Sequence, residues 1–302
     1  MKISKIVEIC DYVFCGEDIE VDNIKYSGCA DKNSIAIVRN SHEVDATDAR
    51  CVLSTPGLFL TDKTIIYTND DLELAAVKIA KVIMESEKKS VSEPIKYATV
   101  DNYFLGRNVS IGEGTIILPN VCIDDDVTIG ANCVIGPNAH VGRGTIIKNN
   151  VKIGTGAYVG AESFYHYFDK YLQEFEGIGN VIVEDFVSVG NHTIIQRGTF
   201  SDTIIGKASR IGNQVDIGHD TIIGENTKIV SQVGIASNVT IGRNVLIYGQ
   251  VGVANHVTIG DYATIYAKSL VTKNVKENQS VSGIYAREHR EELRTRAKVL
   301  KL

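Results

Sequence analysis

From Leu105 onward an aliphatic residue returns at every sixth position, at Ile111, Ile117, Ile123, Ile129, Ile135, Val141, Ile147, Ile153 and Val159. The beat stops there and resumes at Val183, Val189 and Ile195. It then slips by four residues and runs unbroken from Ile205 to Val271. Gly often follows the beat, and Thr, Ser, Val, Ala or Cys usually sits four residues after it, as in Ile111-Gly-Glu-Gly-Thr and Ile241-Gly-Arg-Asn-Val. A period of six fits neither the helical nor the strand repeat. It predicts an all-β solenoid of hexapeptide repeats, a parallel β-helix.

Three hexads build one triangular coil, each giving a short strand whose aliphatic residue points inward. The stretch holds ten, three and twelve beats in its three runs. That corresponds to about eight coils, or roughly 40 Å of prism at the usual strand spacing. Asn108, Asn120, Asn132, Asn138, Asn150, Asn213, Asn226, Asn238 and Asn244 suit left-handed backbone at the corners. Two departures break the beat. In the first, Phe164, Phe168, Tyr171 and Phe175 fall at helical spacing and predict a helical turn or two with one aromatic face. That insertion either carries function or braces the prism or a neighbouring subunit. The second, Thr199 to Thr203, reads as a bulged corner.

Residues 1–85 lack the beat and read as a small α+β domain. Ile3–Cys10 predicts a first helix. Ile24–Tyr26, Ser34–Val38, Arg50–Leu53 and Thr64–Tyr67 predict strands. Asp70 is placed to cap a second helix whose apolar face is Leu72, Leu74, Ala75, Val77, Ala80 and Ile83. Residues 86–101 read as a polar linker, 102–275 as the β-helix, and 276–302 as a C-terminal helical extension that caps the last coil or packs with copies from other subunits, its basic excess also suiting an acidic carrier or a phosphate.

At 302 residues, 44% hydrophobic and 23% charged, the composition is that of an ordinary globular chain. A net charge of −6 offers no global attraction to nucleic acid. No apolar run is long enough for a transmembrane segment. Glu8 and Asp11 interrupt the apolar stretch that a signal peptide needs. The six cysteines form no CxxC, so small buried thiols explain Cys122 and Cys133 better than disulfides or zinc. These features predict a cytoplasmic protein.

A prism filled with Ile and Val has no cleft of its own, so chemistry belongs on its outer face or between prisms. His219 follows Ile217-Gly218, and His256 follows Val253-Ala254-Asn255. Ile217 and Val253 are two full coils apart, which sets both histidines on one face, with Gln196 after Ile195 on the same face. Surface histidines at turns are the plainer reading of that row. Hexapeptide-repeat carbonic anhydrases bind zinc between subunits through a His pair about five residues apart plus a third histidine, and neither His219 nor His256 has such a neighbour, so no metal is expected. In the first domain Asn40, Ser41 and His42 follow a strand and could line a ligand site or form a solvated loop.

Arg197-Gly198-Thr199-Phe200-Ser201-Asp202-Thr203-Ile204-Ile205-Gly206 and Gly212-Asn213-Gln214-Val215-Asp216-Ile217-Gly218-His219 resemble the signature of the UDP-3-O-acylglucosamine N-acyltransferases of lipid A biosynthesis. Gly160-Ala161-Glu162-Ser163-Phe164 is similar to that family's Gly-Ala-Asp-Gly-Phe segment. The resemblance spans nearly the whole chain and implies a left-handed β-helix and a homotrimer. It also implies an acyl group moved from an acyl-carrier-protein phosphopantetheine thioester, or from acyl-CoA, to the amine of a nucleotide-linked amino sugar. No permanently bound cofactor is implied. His219 becomes the general base, a role suited to an imidazole. Ser237, eighteen residues on, offers a backbone N–H to the oxyanion. His256 and Gln196 orient substrate, and Asn40, Phe164, Asn213 and Gln214 bind it. Gln196 stands where the family commonly has Asp, and Ser237 where it has Gly. The family's uracil-binding Phe-x-x-Asn-Pro-x-Tyr is here Ile37 to Glu43, keeping only Asn40. Two other functions fit the same fold: an acetyl-CoA-dependent sugar acetyltransferase, and a non-catalytic nucleotide-sugar-binding scaffold.

Overall fold

The computed structural model describes residues 1–58, 62–86, 98–283, 294, 297 and 298. Residues 87–97 of the expected 86–101 linker and nearly all of the expected C-terminal helix lie outside the described residues. Among the described residues no helix is long and apolar enough to cross a membrane.

The six-residue beat folds as a left-handed parallel β-helix whose three faces are sheets of ten, eight and nine strands. Register pairs each beat with the one a coil away, as in Ile123 with Val141 and Ile217 with Ile235. The beat residues from Ile123 to Val271 are buried and stack into one core running the length of the prism. Burial of these aliphatic columns is the main stabilising term, because each two-residue strand has little intrinsic stability of its own. The prism has one coil more than the eight expected. Past Val271 the chain turns once more, placing Val275 against Ile259 and Val281 against Ile265.

Corners lie three residues after most beats and take left-handed backbone, with φ 54° at Asn108, 59° at Asn238 and 61° at His256. Asn and similar polar residues tolerate that region because their side chains bond locally. Of the asparagines expected there, Asn213 is the exception. It sits two residues after Ile211, and the left-handed corner is Gln214, φ 54°.

The first domain is a five-stranded sheet in the order β1-β5-β4-β3-β2. Its strands are β1 (Val13–Cys15), β2 (Asn23–Tyr26), β3 (Ser34–Ile37), β4 (Cys51–Ser54) and β5 (Thr64–Tyr67). Only β1 runs antiparallel to its neighbour. Helices α1 (Ile3–Cys10) and α3 (Leu72–Ser86) pack on the face carrying Ile35 and Ile37. The short α2 (Ser41–Asp45) packs on the face carrying Ala36 and Val38. The cap of α3 is Asp71, not Asp70, since its Oδ1 accepts from the N–H groups of Glu73 (3.0 Å) and Leu74 (3.3 Å). Asp70 instead holds Lys78 (2.6 Å) and the Tyr12 hydroxyl (2.8 Å). Strand β6 (Ala98–Val100) then runs antiparallel to β7 (Tyr103–Leu105), the first strand of the prism.

The aromatic insertion is a β-hairpin rather than the helical turn expected. His166–Asp169 pairs antiparallel with Tyr171–Glu174 around Lys170, φ 59°. Alternation wins because Tyr165 and Tyr167, two residues apart, both reach the core of the first domain together with Phe175. A helix would turn two such residues to different sides. Lys81 of α3 donates to the Tyr167 hydroxyl at 2.7 Å. Phe168 and Leu172, opposite each other on the hairpin, are left exposed. All six cysteines are free, and Cys133 is buried as expected, whereas Cys122 faces outward from its strand and is half-buried.

Candidate active site

Where the first domain, the hairpin base and the ten-stranded face meet, a cleft of about 480 Å³ opens. Tyr26 and Glu73 enter it from the first domain, and Phe164, Tyr165 and His166 from the start of the insertion. The prism contributes Gln196, Asp216, His219, Ser237, Asn238 and His256. The strands Ile194–Gln196, Asp216–Ile217, Gly234–Ile235 and Gly252–Val253 are successive neighbours on that face, which gathers these groups. Five residues singled out from the sequence therefore share one site: Gln196, His219, Ser237, His256 and Phe164.

His219 is 5% exposed and forms the centre of the cleft. Its Nδ1 lies 2.6 Å from Asp220 Oδ2. Asp220 in turn accepts backbone N–H groups from Thr199 (3.0 Å), Phe200 (3.1 Å) and Ser201 (2.7 Å). This carboxylate was missed in the sequence, although it follows the histidine directly. With its oxygens held by four donors, it fixes both the ring orientation and the tautomer, leaving Nε2 as the basic nitrogen. The stretch Thr199 to Thr203 is thus more than a bulged corner, because its N–H groups form the cradle for Asp220. An aromatic cluster pins that cradle. Phe200 is buried and packs against Tyr26 (5.7 Å between ring centroids), Tyr165 (5.6 Å) and Phe175 (5.6 Å). Tyr165 also meets the His219 ring edge-on at 5.7 Å.

Ser237 stands beside Gly218 in the next coil, where a Cβ on Gly218 would lie 2.8 Å from the Ser237 nitrogen. At the matching position of other coils the N–H is taken by a side chain of the coil above, as Arg107 gives to Asp125, Ala131 to Asn149 and Arg243 to Asp261. Among the described residues the Ser237 N–H has no acceptor, so it is open to a ligand. Burial pushes the His256 imidazole below its ordinary value of 6.5, helped by the nearby Arg39 guanidinium. His256 is accordingly neutral at physiological pH and can both donate and accept.

Gln196 makes no hydrogen bond to His219. Its Oε1 accepts from the Phe164 N–H at 3.3 Å, tying the hairpin base to the prism. Asn40, Asn213 and Gln214 lie outside the cleft lining. Asn40 caps α2, its Oδ1 accepting from Glu43 N–H at 3.1 Å while Glu43 returns to Arg39 N–H at 2.9 Å. Asn213 accepts from Asn191 N–H at 2.8 Å and Gln214 from Gln232 at 3.2 Å, both within corner ladders. Ile37, where the family has an aromatic residue, is buried in the first domain. Asp216, Tyr26 and Glu73 join the site without having been singled out for it. Asp216 occupies the outward place of its hexad, where Ile and Thr are common, and only the fold reveals that this place faces a cleft.

The family model described as bacterial transferase hexapeptide (six repeats) matches residues 102–136, 126–163, 202–237 and 238–273, leaving out the hairpin and the Asp220 cradle. A UDP-3-O-acylglucosamine N-acyltransferase of Campylobacter concisus is 35% identical over 230 residues, covering 72% of this chain and 72% of that protein. One from Campylobacter jejuni (strain RM1221) is 35% identical over 231 residues, with the same coverage of each. Among solved structures, a UDP-N-acetylglucosamine acyltransferase from Bacteroides fragilis has a TM-score of 0.56 at 25% identity, over 66% of this chain and 78% of that one. A UDP-N-acetylglucosamine acyltransferase from Campylobacter jejuni has a TM-score of 0.56 at 18% identity, over 67% and 82%, and shows the shared fold.

Proposed function

Since this chain belongs to the UDP-3-O-acylglucosamine N-acyltransferase family, we propose that it moves an acyl group from a thioester to the amine of a nucleotide-linked amino sugar, with His219 as general base. The observation that carries this reading is the buried His219–Asp220 pair at the centre of the cleft. His219 Nε2 takes a proton from the amine as the amine nitrogen attacks the thioester carbonyl. The oxyanion that forms meets the free Ser237 N–H. As the C–S bond breaks, the imidazolium returns the proton to the leaving sulfur, giving an amide and a thiol. His256 and the first-domain residues Tyr26 and Glu73 bind the sugar nucleotide. The working form is a homotrimer in the cytoplasm, and the donor is an acyl-carrier-protein phosphopantetheine thioester or acyl-CoA.

One observation favours a long acyl donor over acetyl-CoA. On the cleft face the outward residues of successive strands run Asp216, Gly234, Gly252, Leu270. A Cβ on Gly234 would meet nothing within 4 Å, so the fold does not require glycine there. Glycine costs stability in a strand, and a bare strip beside the base leaves room for an extended chain. The test is thioester cleavage with several UDP-linked amino sugars against acetyl, medium and long acyl donors. Turnover of a long donor that falls at least about tenfold in Gly234→Leu, with short donors spared, supports the reading. Saturable sugar-nucleotide binding with no cleavage of any donor overturns it in favour of a binding scaffold.

A further inference from the structure

We propose that Asp216 recognises the acceptor's amino group as an ammonium ion and so selects an amine over a hydroxyl at the acylated position. This rests on the acyl-transfer reading above and names the residue that sets its acceptor class. Asp216 lies in the cleft on the strand Asp216–Ile217, which delivers His219 three residues later. Its side chain points out of the sheet between Ile194 and Gly234 in the flanking strands. On one side the neighbour is apolar, and on the other the missing side chain leaves open space.

The carboxylate has no hydrogen bond, ion pair or cation partner among the described residues. The other acidic groups around the cleft are accounted for. Glu73 faces Arg39 at 3.6 Å, and Asp220 is fully held by its cradle and His219. The basic groups of the lining are His166, His219 and His256. His166 faces Glu174 at 3.6 Å, His219 is engaged with Asp220, and His256 is held in its neutral form. Burial alone raises the Asp216 carboxyl above its usual range, as expected of an acid with no counter-charge. Asp216 is exposed to the cleft, so its unneutralised carboxylate is open to a ligand cation that closes over it. The acceptor chemistry supplies one, because a sugar amine carries a proton near neutral pH and a hydroxyl does not. Docked on Asp216, the ammonium releases one proton to water. The resulting amine then attacks the thioester carbonyl, giving its second proton to His219 Nε2 as the N–C bond forms.

The experiment compares wild type with Asp216→Asn, an isosteric change on an exposed strand position that leaves the core untouched. It uses the amino acceptor and its hydroxyl analogue across pH 6 to 9. The expected result is a rise of about tenfold or more in KM for the amino acceptor at neutral pH, the size of one lost charged hydrogen bond. At saturation kcat should change little, and the KM defect should shrink at high pH, where the amine is neutral. The amine-to-hydroxyl preference should fall with it. An Asp216→Asn enzyme with unchanged KM and preference overturns the assignment. A wild-type protein that acylates no amino sugar at all overturns the acyl-transfer reading instead, so the two failures are distinguishable.

Discussion

The ten-stranded face carries two histidine–carboxylate pairs of almost equal length. His219 Nδ1 meets Asp220 at 2.6 Å, and His140 Nε2 meets Asp124 at 2.7 Å. They lie three strands apart, or about 14 Å at the usual spacing. Their surroundings differ in every respect that matters to catalysis. His219 is enclosed at a cleft and uses its inner nitrogen, leaving Nε2 as the base. His140 uses the outer nitrogen on Asp124 and lies flat against Tyr158, 4.3 Å between centroids and 5° from parallel. Its side chain is 32% exposed at the prism surface. Asp220 is gripped by three consecutive N–H groups from a loop that an aromatic cluster holds in place. A short His–Asp distance therefore does not mark a site. What marks it is a free nitrogen beside open volume, with the carboxylate anchored from elsewhere in the chain.

Removing each imidazole gives the sharpest break in this comparison. His219→Ala should lower thioester turnover by roughly a hundredfold to ten-thousandfold, the usual weight of a general base. His140→Ala should leave turnover within about twofold, since sites so far apart act independently. Equal losses in both, measured under saturating substrates, would erase the distinction. The carboxylates should separate next. In Asp220→Asn an amide N–H₂ faces backbone donors, leaving buried N–H groups unpaired, and should cost about 2–4 kcal/mol in denaturant unfolding. Turnover should fall with it, because the imidazole loses its fixed tautomer. Asp124→Asn, whose histidine partner is partly solvated, should cost less than Asp220→Asn in the same unfolding measurement.

The same contrast explains how far the sequence could be read. The six-residue beat exposes the prism because every coil spends its aliphatic residue on one column, and that regularity survives in the one-dimensional pattern. It also numbers the cleft face, so that Gln196, His219, Ser237 and His256 are brought together by counting alone. What counting missed depends on contacts between distant segments. Asp220 looks like one more polar corner residue until Thr199–Ser201, twenty residues earlier, folds over it. In the insertion, Phe164, Phe168, Tyr171 and Phe175 satisfy a helical spacing by coincidence, although the segment is a hairpin. Tyr165 and Tyr167, which the first domain buries, carry the period of two that decides the structure. Asn40 is matched to a ligand group through the resemblance to the family's uracil-binding segment, whereas in the fold it caps α2 with Glu43 as its partner.

The smallest expected effect concerns His256, the other cleft histidine and a weaker counterpart to His219. Its folded-state pKa is depressed below 6.5, by burial first and by Arg39 second. The folded protein therefore binds this proton less readily than the unfolded chain. The sign follows directly: the contribution to stability is complete above 6.5 and is lost as pH falls through the lower folded value. The residue is exposed at the cleft, so solvent screening keeps the effect small. Melting temperature should decline slightly more steeply between pH 7 and 5 in wild type than in His256→Asn, which carries no titrating ring. The substitution keeps the left-handed corner, since Asn occupies the matching place at Asn238 and Asn244. Parallel melting profiles for the two proteins would show that His256 is solvated like a surface residue, and its place in the cleft would then be incidental.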